Sequence, residues 1–538
     1  MTFEPSLDLI IGPMYSGKCF APDTTILMYN GEIELVQNLK KGDLLMGDDS
    51  TPRLILNTCH GISQMYKIIP YYGNPFIVNE DHILSLKCSF NHDKKYVKDK
   101  VVNISVKDYL NESKTFRLYF KGYRNSVNFS EKSIELDPYI LGTWLGDGTS
   151  CEPSITTIDD EILNYYKSYF EPMNLKVKFT SIKKKIPTYR VSTEICGGNN
   201  WFINQLRKLQ LLNNKHIPLL YKANSREIRL KLLAGLLDTD GYFDPRKKSY
   251  EITQKRKNLA EDILYVARSL GFVSYINETE KYCTYKGEKR YGIYYKVSIS
   301  GTNLHDIPCL LDRKKMKEKY TRYNKELFGF RIEKLGKGEY YGFSVDSNHL
   351  FLLGDFTVTH NSSELLSRLN RFNELGFKAL YINHSADCRD EKFSTHNTTL
   401  KNSKDQKLKM LSISSLQSIN TSDIEDISVI GIDESQFFSD LSIVKNWVEK
   451  LNKKVIISGL DGDYNRQKFG SILDLIPLSD TIIKLDALCE LCAKSKILNK
   501  ALFTHYLLDK KDSNNIDIGA KDKYIALCRK HYIELNSF

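Results

Sequence analysis

The apolar run Leu7-Asp8-Leu9-Ile10-Ile11 has the length and composition of a buried strand, and two more such runs follow far downstream at Val429-Ile430-Gly431-Ile432 and Val455-Ile456-Ile457. The period changes at Leu365, Leu366, Leu369, Phe372 and Leu375, whose spacing puts an apolar stripe on one face of a helix. Between these ends, Ile140–Gly148 and Leu233–Gly241 mix apolar with small residues, and each closes on Asp-Gly. Asp137-Pro138 ahead of the first run supplies a helix N-cap and a first-turn proline. Much of the remaining middle is β-rich and punctuated by glycine. The pattern predicts an α/β unit made from the two ends of the chain and a different, β-rich architecture inside it.

At 538 residues the chain exceeds one core, and at roughly 150 residues per domain it predicts three or four. A content of 41% hydrophobic and 27% charged residues is that of an ordinary globular protein. No apolar run approaches the roughly 18–20 residues that span a bilayer, and Met1 to Lys18 lacks the features of a secretory signal. The expectation is a cytoplasmic protein with no membrane partner. Eleven thinly spread cysteines do not suggest a disulfide framework. A net charge of +11 permits a nucleic-acid partner without requiring one.

The first strand runs into Gly12-Pro13-Met14-Tyr15-Ser16-Gly17-Lys18, a G-x-x-x-x-G-K phosphate loop that lacks only its final Ser/Thr. Backbone N–H groups of such a loop face the phosphates, its lysine adds charge, and the following hydroxyl holds Mg²⁺. Residue 19 is instead Cys, and Pro22 opposes the helix that should follow. The missing half begins at Ser362, ahead of the helical stripe. Joining Lys18 to Ser362 completes a strand–loop–helix that would bind ATP and Mg²⁺, with Asp433 as a further Mg²⁺ holder at the end of the strand Val429–Ile432.

The insert from Cys19 to Asn361 carries nucleophiles at its edges. A cysteine thiol can attack the preceding carbonyl, the hydroxyl of Ser362 can take over the acyl group, and Asn361 can cyclise on its own carbonyl beside His360. On these residues the insert resembles an intein of the vacuolar-ATPase type. Cys19-Phe20-Ala21-Pro22-Asp23-Thr24 with Gly31 is similar to the opening block. Asn79-Glu80-Asp81-His82 resembles the T-x-x-H block, and Tyr341-Gly342-Phe343-Ser344-Val345 through His349 to His360-Asn361-Ser362 resembles the closing blocks. The resemblance implies an all-β Hint splicing fold with Cys19, Asn79, His82, His349, His360, Asn361 and Ser362 as splicing residues; Gly342 occupies a position where the family often has Asp. The two runs ending at Asp147 and Asp240, 93 positions apart, resemble the paired LAGLIDADG motif of homing endonucleases. This implies two closely packed helices, a divalent metal shared by Asp147 and Asp240, active-site lysines at Lys215 and Lys315, and double-stranded DNA as partner. Basic runs at Lys183-Lys184-Lys185 and Arg313-Lys314-Lys315 with Lys317, and Tyr189-Arg190, would suit a DNA-tracking surface.

Outside the insert, Cys489-x-x-Cys492 and Cys528-x-x-His531 form two ligand pairs with zinc spacing. The spliced GPMYSGKSSEL, Asp387-x-Arg389 with Thr395-His396, Asp433-Glu434-Ser435-Gln436-Phe437-Phe438, Leu460-Asp461-Gly462 and Cys528-Arg529-Lys530-His531-Tyr532 together resemble type II thymidine kinase. That resemblance implies phosphorylation of thymidine by ATP with Glu434 as general base. It also implies a zinc-anchored lasso, a thymidine site drawn from Phe438, Tyr464, Phe469, Ile518, Gly519 and Tyr524, and a homotetramer. Asp463, Asp486 and Ala520 depart from the family pattern and bear on nucleoside selectivity.

The expected architecture is a multidomain chain. Residues 1–18 plus 362–485 form an α/β P-loop (RecA-like) kinase core and 486–538 its small zinc-binding lasso domain. This host is interrupted by an all-β Hint domain, 19–130 plus 325–361, which carries an α+β LAGLIDADG endonuclease domain at 131–324. The excised endonuclease would act in the nucleus or on viral DNA. A competing reading makes the host a P-loop protein of weakened or altered nucleoside specificity that serves mainly as carrier.

Overall fold

The computed structural model describes residues 4–12, 19–92, 96–183, 186–194, 198–285, 288–317, 326–345, 349–360, 365, 368–369, 372–373, 376–385, 408–484, 487–489, 491–492, 499–507 and 524–536. A six-stranded sheet runs in the order Leu408–Ile413, Ala379–His384, Val429–Ile432, Lys454–Leu460, Ser6–Gly12, Thr481–Lys484, with every pairing parallel. Only Ser6–Gly12 comes from before residue 379, yet it lies inside the sheet. Leu7 stands opposite Val455, and Ile11 is flanked by Gly459 and Lys484. Leu7, Leu9 and Ile11 pack on one side with Ile432 and Val455, while Ile10 packs on the other with Leu365 and Leu369. Burial on both faces explains why the run reads as continuous apolar rather than alternating. The helical stripe predicted at Leu365 and Leu369 presses on Gly431, where an added Cβ would lie 2.4 Å from the Leu369 side chain.

Residues 19–123 and 327–360 form a largely β unit. One sheet orders Phe330–Val345, Cys19–Phe20, Phe76–Asn79, Pro52–Pro70 and Leu44–Met46, and closes on itself because Phe330–Val345 also pairs along Pro52–Pro70. Another orders Leu327–Phe328, Phe120–Tyr123, Ile83–Cys88, Val358–His360 and Leu350–Leu352. The all-β expectation is corrected by two short helices, Val106–Asn111 and Lys114–Tyr119. The Ser105 and Ser113 hydroxyls cap them by accepting from the Asp108 and Phe116 amides, and Val106, Tyr109 and Phe116 join the core of this unit.

The largest core belongs to the region between. Helices Pro138–Asp147 and Arg226–Asp240 pack together, followed respectively by an antiparallel sheet of Ser154–Thr156, Ile186–Thr193, Leu175–Lys183 and one of Gly241–Asp244, Ser249–Gln254, Glu288–Ser300, Val273–Tyr285. Asp137 caps the first helix through the Ile140 amide, with Pro138 in its first turn, as expected. Among the described residues no helix is long and apolar enough to cross a membrane.

Candidate functional site

The host strand Val429–Ile432 delivers Asp433 and Glu434 beside Lys454–Leu460, the neighbour of Ser6–Gly12. The Asp433 carboxylate is held by hydroxyls on the two flanking strands: Tyr381 donates at 2.9 Å, and Ser458 donates from the other side. Glu434 turns away from the strand with φ of +49°, a left-handed backbone that is uncommon for a residue with a Cβ. Its carboxylate accepts from Gln436 Nε2 at 2.6 Å, while Gln436 Oε1 accepts from the Leu460 amide at 3.0 Å. Buried Gln436 thus ties Glu434 to the adjacent strand. Tyr381 and Ser458 were not singled out from sequence, because their roles come from strand adjacency, and Gln436 stood in the matched motif without an assigned role. Pro13 to Lys18, Asn361 to Glu364, Asp387, Arg389, Thr395 and His396 lie outside the described residues.

Three aromatic rings meet around Tyr464, in the loop that follows Leu460. Tyr464 and Tyr524, both expected, stand 6.5 Å apart with Tyr506 at 5.4 and 5.1 Å from them. Phe469 packs edge-on against Phe437 at 5.8 Å. Phe438 is placed differently from the expectation: it is 1% exposed within the host core, its ring edge-on to His384. The helical turn Ser435–Phe437 that follows the strand sends Phe438 inward. Ile518 and Gly519 lie outside the described residues.

Cys489, Cys492, Cys528 and His531 gather so that their ligand atoms all fall within 4.8 Å. His531 Nδ1 lies 3.2 Å from the sulfurs of Cys489 and Cys492 and 3.4 Å from that of Cys528, and the Cys492 and Cys528 sulfurs are 3.8 Å apart. A tetrahedral ion with bonds of about 2.3 Å to sulfur and about 2.0 Å to nitrogen has edges of about 3.8 and about 3.5 Å, so the four groups can hold one metal ion. Asn499 Nδ2 donates to the Cys492 sulfur at 3.3 Å. The adjoining Tyr532 hydroxyl donates to the Tyr464 carbonyl, and the Arg466 guanidinium lies 4.8 Å from the Tyr532 ring, so this cluster is tied directly to the aromatic loop.

In the β unit the two ends of the insert converge. Cys19 stands opposite Gly342 and Phe20 opposite Val78, one residue before buried Asn79. The Phe20 ring meets His82 at 4.5 Å, and fully buried His82 shares a 2.9 Å hydrogen bond from Nε2 with the Thr359 hydroxyl. His360 follows, paired in register with Ile83 and Leu350, and its ring lies 5.9 Å from that of His349. His82 therefore bridges the strand that begins the insert and the strand that ends it.

The two central helices touch through glycines: a Cβ on Gly142 would lie 2.3 Å from the Leu232 carbonyl oxygen, and one on Gly235 2.4 Å from that of Tyr139. The approach brings Asp147 and Asp240 together. Burial and then the Asp240 charge push the Asp147 carboxyl up to about 6. Burial also raises Asp240, against a 2.7 Å hydrogen bond from Gln254. Lys215 Nζ donates to the carbonyls of Leu145, Gly146 and Gly148 at 3.0, 3.1 and 2.7 Å, capping the first helix, and burial lowers its pKa to about 8. The equivalent lysine on the second helix is Lys314, not the expected Lys315. Lys314 Nζ reaches the carbonyls of Leu237, Asp238 and Thr239 at 2.9, 2.6 and 3.0 Å. Lys315 instead pairs with Asp312 at 3.5 Å, as does Lys317 at 2.9 Å, and Arg313 grips Asp159 in a two-pronged contact. Arg313, Lys315 and Lys317 keep these partners at the surface, with their side chains exposed.

Comparison with known proteins finds three families along the chain. The family model described as thymidine kinase matches residues 356–532, that of the Hom_end-associated Hint domain 19–144, and that of the LAGLIDADG-like domain 227–307. The chain is similar to the thymidine kinase of Yaba monkey tumor virus, 34% identical over 33% of this chain and 90% of that one. It is also similar to that of Variola virus, 33% identical over 35% of this chain and 99% of that one. A match to the thymidine kinase of Oryza sativa subsp. japonica is 43% identical but spans only 22% of this chain and 41% of the plant protein. A solved structure of I-DmoI in complex with DNA and Ca matches at 16% identity over 32% of this chain and 87% of that one, with a TM-score of 0.23. With Hint and LAGLIDADG-like domains between its two host segments, the chain belongs to the thymidine kinase family.

Proposed function

We propose that residues 1–18 and 362–538 form a kinase that phosphorylates thymidine with ATP, and that Cys19–Asn361 is a self-splicing insert whose middle, about 131–324, cleaves double-stranded DNA. The observation that carries the reading is the place of Ser6–Gly12, paired in parallel between Lys454–Leu460 and Thr481–Lys484 across the whole insert. A phosphate loop leaving that strand belongs to the host sheet, and its continuation lies at Ser362.

Splicing needs no external group. The Cys19 sulfur bonds to the Lys18 carbonyl carbon as that carbon's bond to nitrogen breaks, the thiol proton passing to the amine. The Ser362 oxygen then replaces sulfur, and its proton returns to the thiol. The Asn361 carboxamide nitrogen closes on its own carbonyl carbon, releasing the Ser362 amine, which takes the proton and attacks the ester to form the Lys18–Ser362 amide. His82 with Asn79 serves the first cleavage, and His349 and His360 serve the last.

In the spliced kinase, loop residues 12–18 and Ser362 face the phosphates of ATP, and Ser362 with Asp433 would hold Mg²⁺. The 5′-oxygen of thymidine bonds to the γ-phosphorus as the β–γ bridge breaks, and Glu434 accepts the hydroxyl proton. Tyr464, Phe469 and Tyr524 surround the nucleoside, with Ile518 and Gly519 from the lasso. The Cys₃His cluster would bind structural zinc, which supplies cross-linking rather than chemistry. Asp147 and Asp240 would share a divalent ion that stabilises charge in phosphodiester cleavage; two neighbouring carboxyls, both raised by burial and Asp147 further by the Asp240 charge, suit such a cation. The spliced host would assemble as the family's homotetramer.

The test is expression of the wild type beside a Cys19→Ala/Asn361→Ala chain. The 18- and 177-residue flanks make a 195-residue product of about 22 kDa and leave an insert of about 40 kDa. Wild type should yield both masses and phosphorylate thymidine. The blocked chain should stay at 62.1 kDa and fail to do so, because its loop is severed from the helix that follows. A wild-type chain that remains full length overturns the reading.

A further inference from the structure

The expected boundary between splicing and endonuclease units cuts through a shared core. Leu27, Met46, Leu352, Phe356 and Val358 of the β unit pack with Val127 and Phe129 of the connecting segment and with Ala223 and Tyr265 of the endonuclease. The focus of this core is the hairpin Leu350–Leu352 and Val358–His360, whose second strand ends at the downstream splice junction. At its tip Phe356 has φ of +69°, a left-handed conformation that a bulky side chain rarely adopts. Its ring is fully buried against Tyr265, edge-on at 5.1 Å. Tyr265 lies on helix Lys257–Ser269, and its hydroxyl donates to the Gly31 carbonyl at 2.7 Å.

The same helix reaches the tip by charge. Asp355 receives Arg124 at 2.9 Å. Burial pushes the Asp355 carboxyl up, and the guanidiniums of Arg124 and Arg268 more than offset this, holding it below the usual carboxylate range. At the helix end, Ser269 accepts from the Val127 amide at 2.9 Å through its carbonyl, while its hydroxyl accepts from Arg229, which also donates to the Val127 carbonyl at 2.6 Å. The upstream junction reaches this support only at second hand: Cys19 and Phe20 pair with Tyr341–Gly342 and Val78 of the β unit, and the Phe20 ring touches the hairpin through Phe351 at 6.0 Å and through His82, which bonds Thr359.

We infer that the endonuclease helix Lys257–Ser269 braces the downstream splicing hairpin, making Tyr265 a positioning residue for cyclisation of Asn361 far more than for attack by Cys19. The inference rests on the splicing reading above. It makes the endonuclease domain part of the splicing apparatus rather than a passenger, and gives DNA bound to that domain a mechanical path to one of the two junctions.

The two half-reactions separate in full-length chains. Thiol-induced cleavage at Cys19 in an Asn361→Ala chain reads the upstream step, and cleavage before Ser362 in a Cys19→Ala chain reads the downstream one. Adding Tyr265→Ala removes the ring under Phe356 and should slow downstream cleavage by about 10- to 100-fold, since a shift of about 1 Å at a reacting group costs on the order of 100-fold. Upstream cleavage should stay within about threefold of the parent, because Cys19 and Phe20 keep their strand pairing with Tyr341–Gly342 and Val78 and feel the hairpin only through Phe351 and His82. Tyr265→Phe keeps the ring and should recover the downstream rate to within about fivefold, as the loss of one hydrogen bond allows. Equal slowing of both steps, or no slowing of the downstream step, overturns the brace. If neither parent cleaves, the splicing reading itself fails.

Discussion

Gly235→Ala sets two magnitudes against each other. The new Cβ would lie 2.4 Å from the Tyr139 carbonyl oxygen and 2.8 Å from the Thr143 nitrogen, both backbone atoms of the facing helix. Ordinary contact for such pairs begins near 3.4 Å, so the helices must part by about 1 Å. Overpacking of this kind costs about 1–3 kcal/mol. Replacing glycine in a helix interior returns about 1 kcal/mol through backbone entropy. The net loss, about 0–2 kcal/mol, leaves a domain with so large a core folded. Catalysis is less forgiving, because Asp147 and Asp240 sit at the ends of the two displaced helices, and about 1 Å of misplacement costs on the order of 100-fold in rate. The assay is single-turnover cleavage, with Mg²⁺, of a plasmid carrying the uninterrupted kinase coding sequence, alongside a thermal melt of the purified insert. The expected result is a small shift in melting with cleavage about 100-fold slower. Cleavage within about threefold of wild type would refute the claim that the glycine contact sets the spacing of the two carboxylates.

Lys314→Met should reduce DNA cleavage by about 100-fold by removing a cation from the end of the second helix, while Lys315→Met, which pairs with Asp312 at the surface, should leave it unchanged; the reverse order would show that Lys314 was misassigned. Metal analysis of the spliced kinase should find one zinc per chain, and Cys489→Ser/Cys528→Ser should lose it along with thymidine binding, because Tyr532 and Arg466 link the cluster to Tyr464; full zinc in the double variant would refute the ligand set. Asp355 is held below its ordinary range, so its stabilisation of the hairpin is complete above the unfolded value of about 3.9 and is lost as pH falls through its lower folded value. Hydrogen exchange at residues 350–360 should therefore accelerate on acidification below about pH 4, and Arg124→Ala should move that acceleration to higher pH; an identical profile would count against the ion pair as its cause.

The strands Leu7–Ile11, Val429–Ile432 and Val455–Ile457 were legible because strands buried on both faces show as unbroken apolar runs. The Asp137-Pro138 cap, the paired glycine helices and the Cys₃His cluster were legible for a similar reason: their chemistry is written at fixed local spacing. Lys314 was missed because adjacent lysines look alike in sequence, and only the turn Asp312–Lys314 decides which one points at the helix end. Phe438 was misplaced because a resemblance carries residue identity but not the direction of a side chain at a strand exit. Tyr381, Ser458 and Tyr506 reach the site across strands distant in sequence, where no local pattern marks them; Gln436 stood inside the matched motif, but its bond to the Leu460 amide did not show. The core shared between the two insert units was invisible for the same reason, since Leu27, Ala223, Tyr265 and Phe356 have no common period.

The interior position of Ser6–Gly12 also sets a timetable for synthesis. Its first partner in the sheet, Lys454–Leu460, leaves the ribosome more than 440 residues later. At about 5–20 residues per second the strand waits roughly 20–90 s for that neighbour. Throughout that interval Leu7, Leu9, Ile10 and Ile11 form a sticky leader with no sheet to join, a target for chaperones and for wrong pairing. The insert is complete well before then, so its folding decides where the leader is held when the host strands emerge. An insert that folds quickly serves its host as a placeholder; one that folds slowly exposes the host to aggregation before any kinase can form.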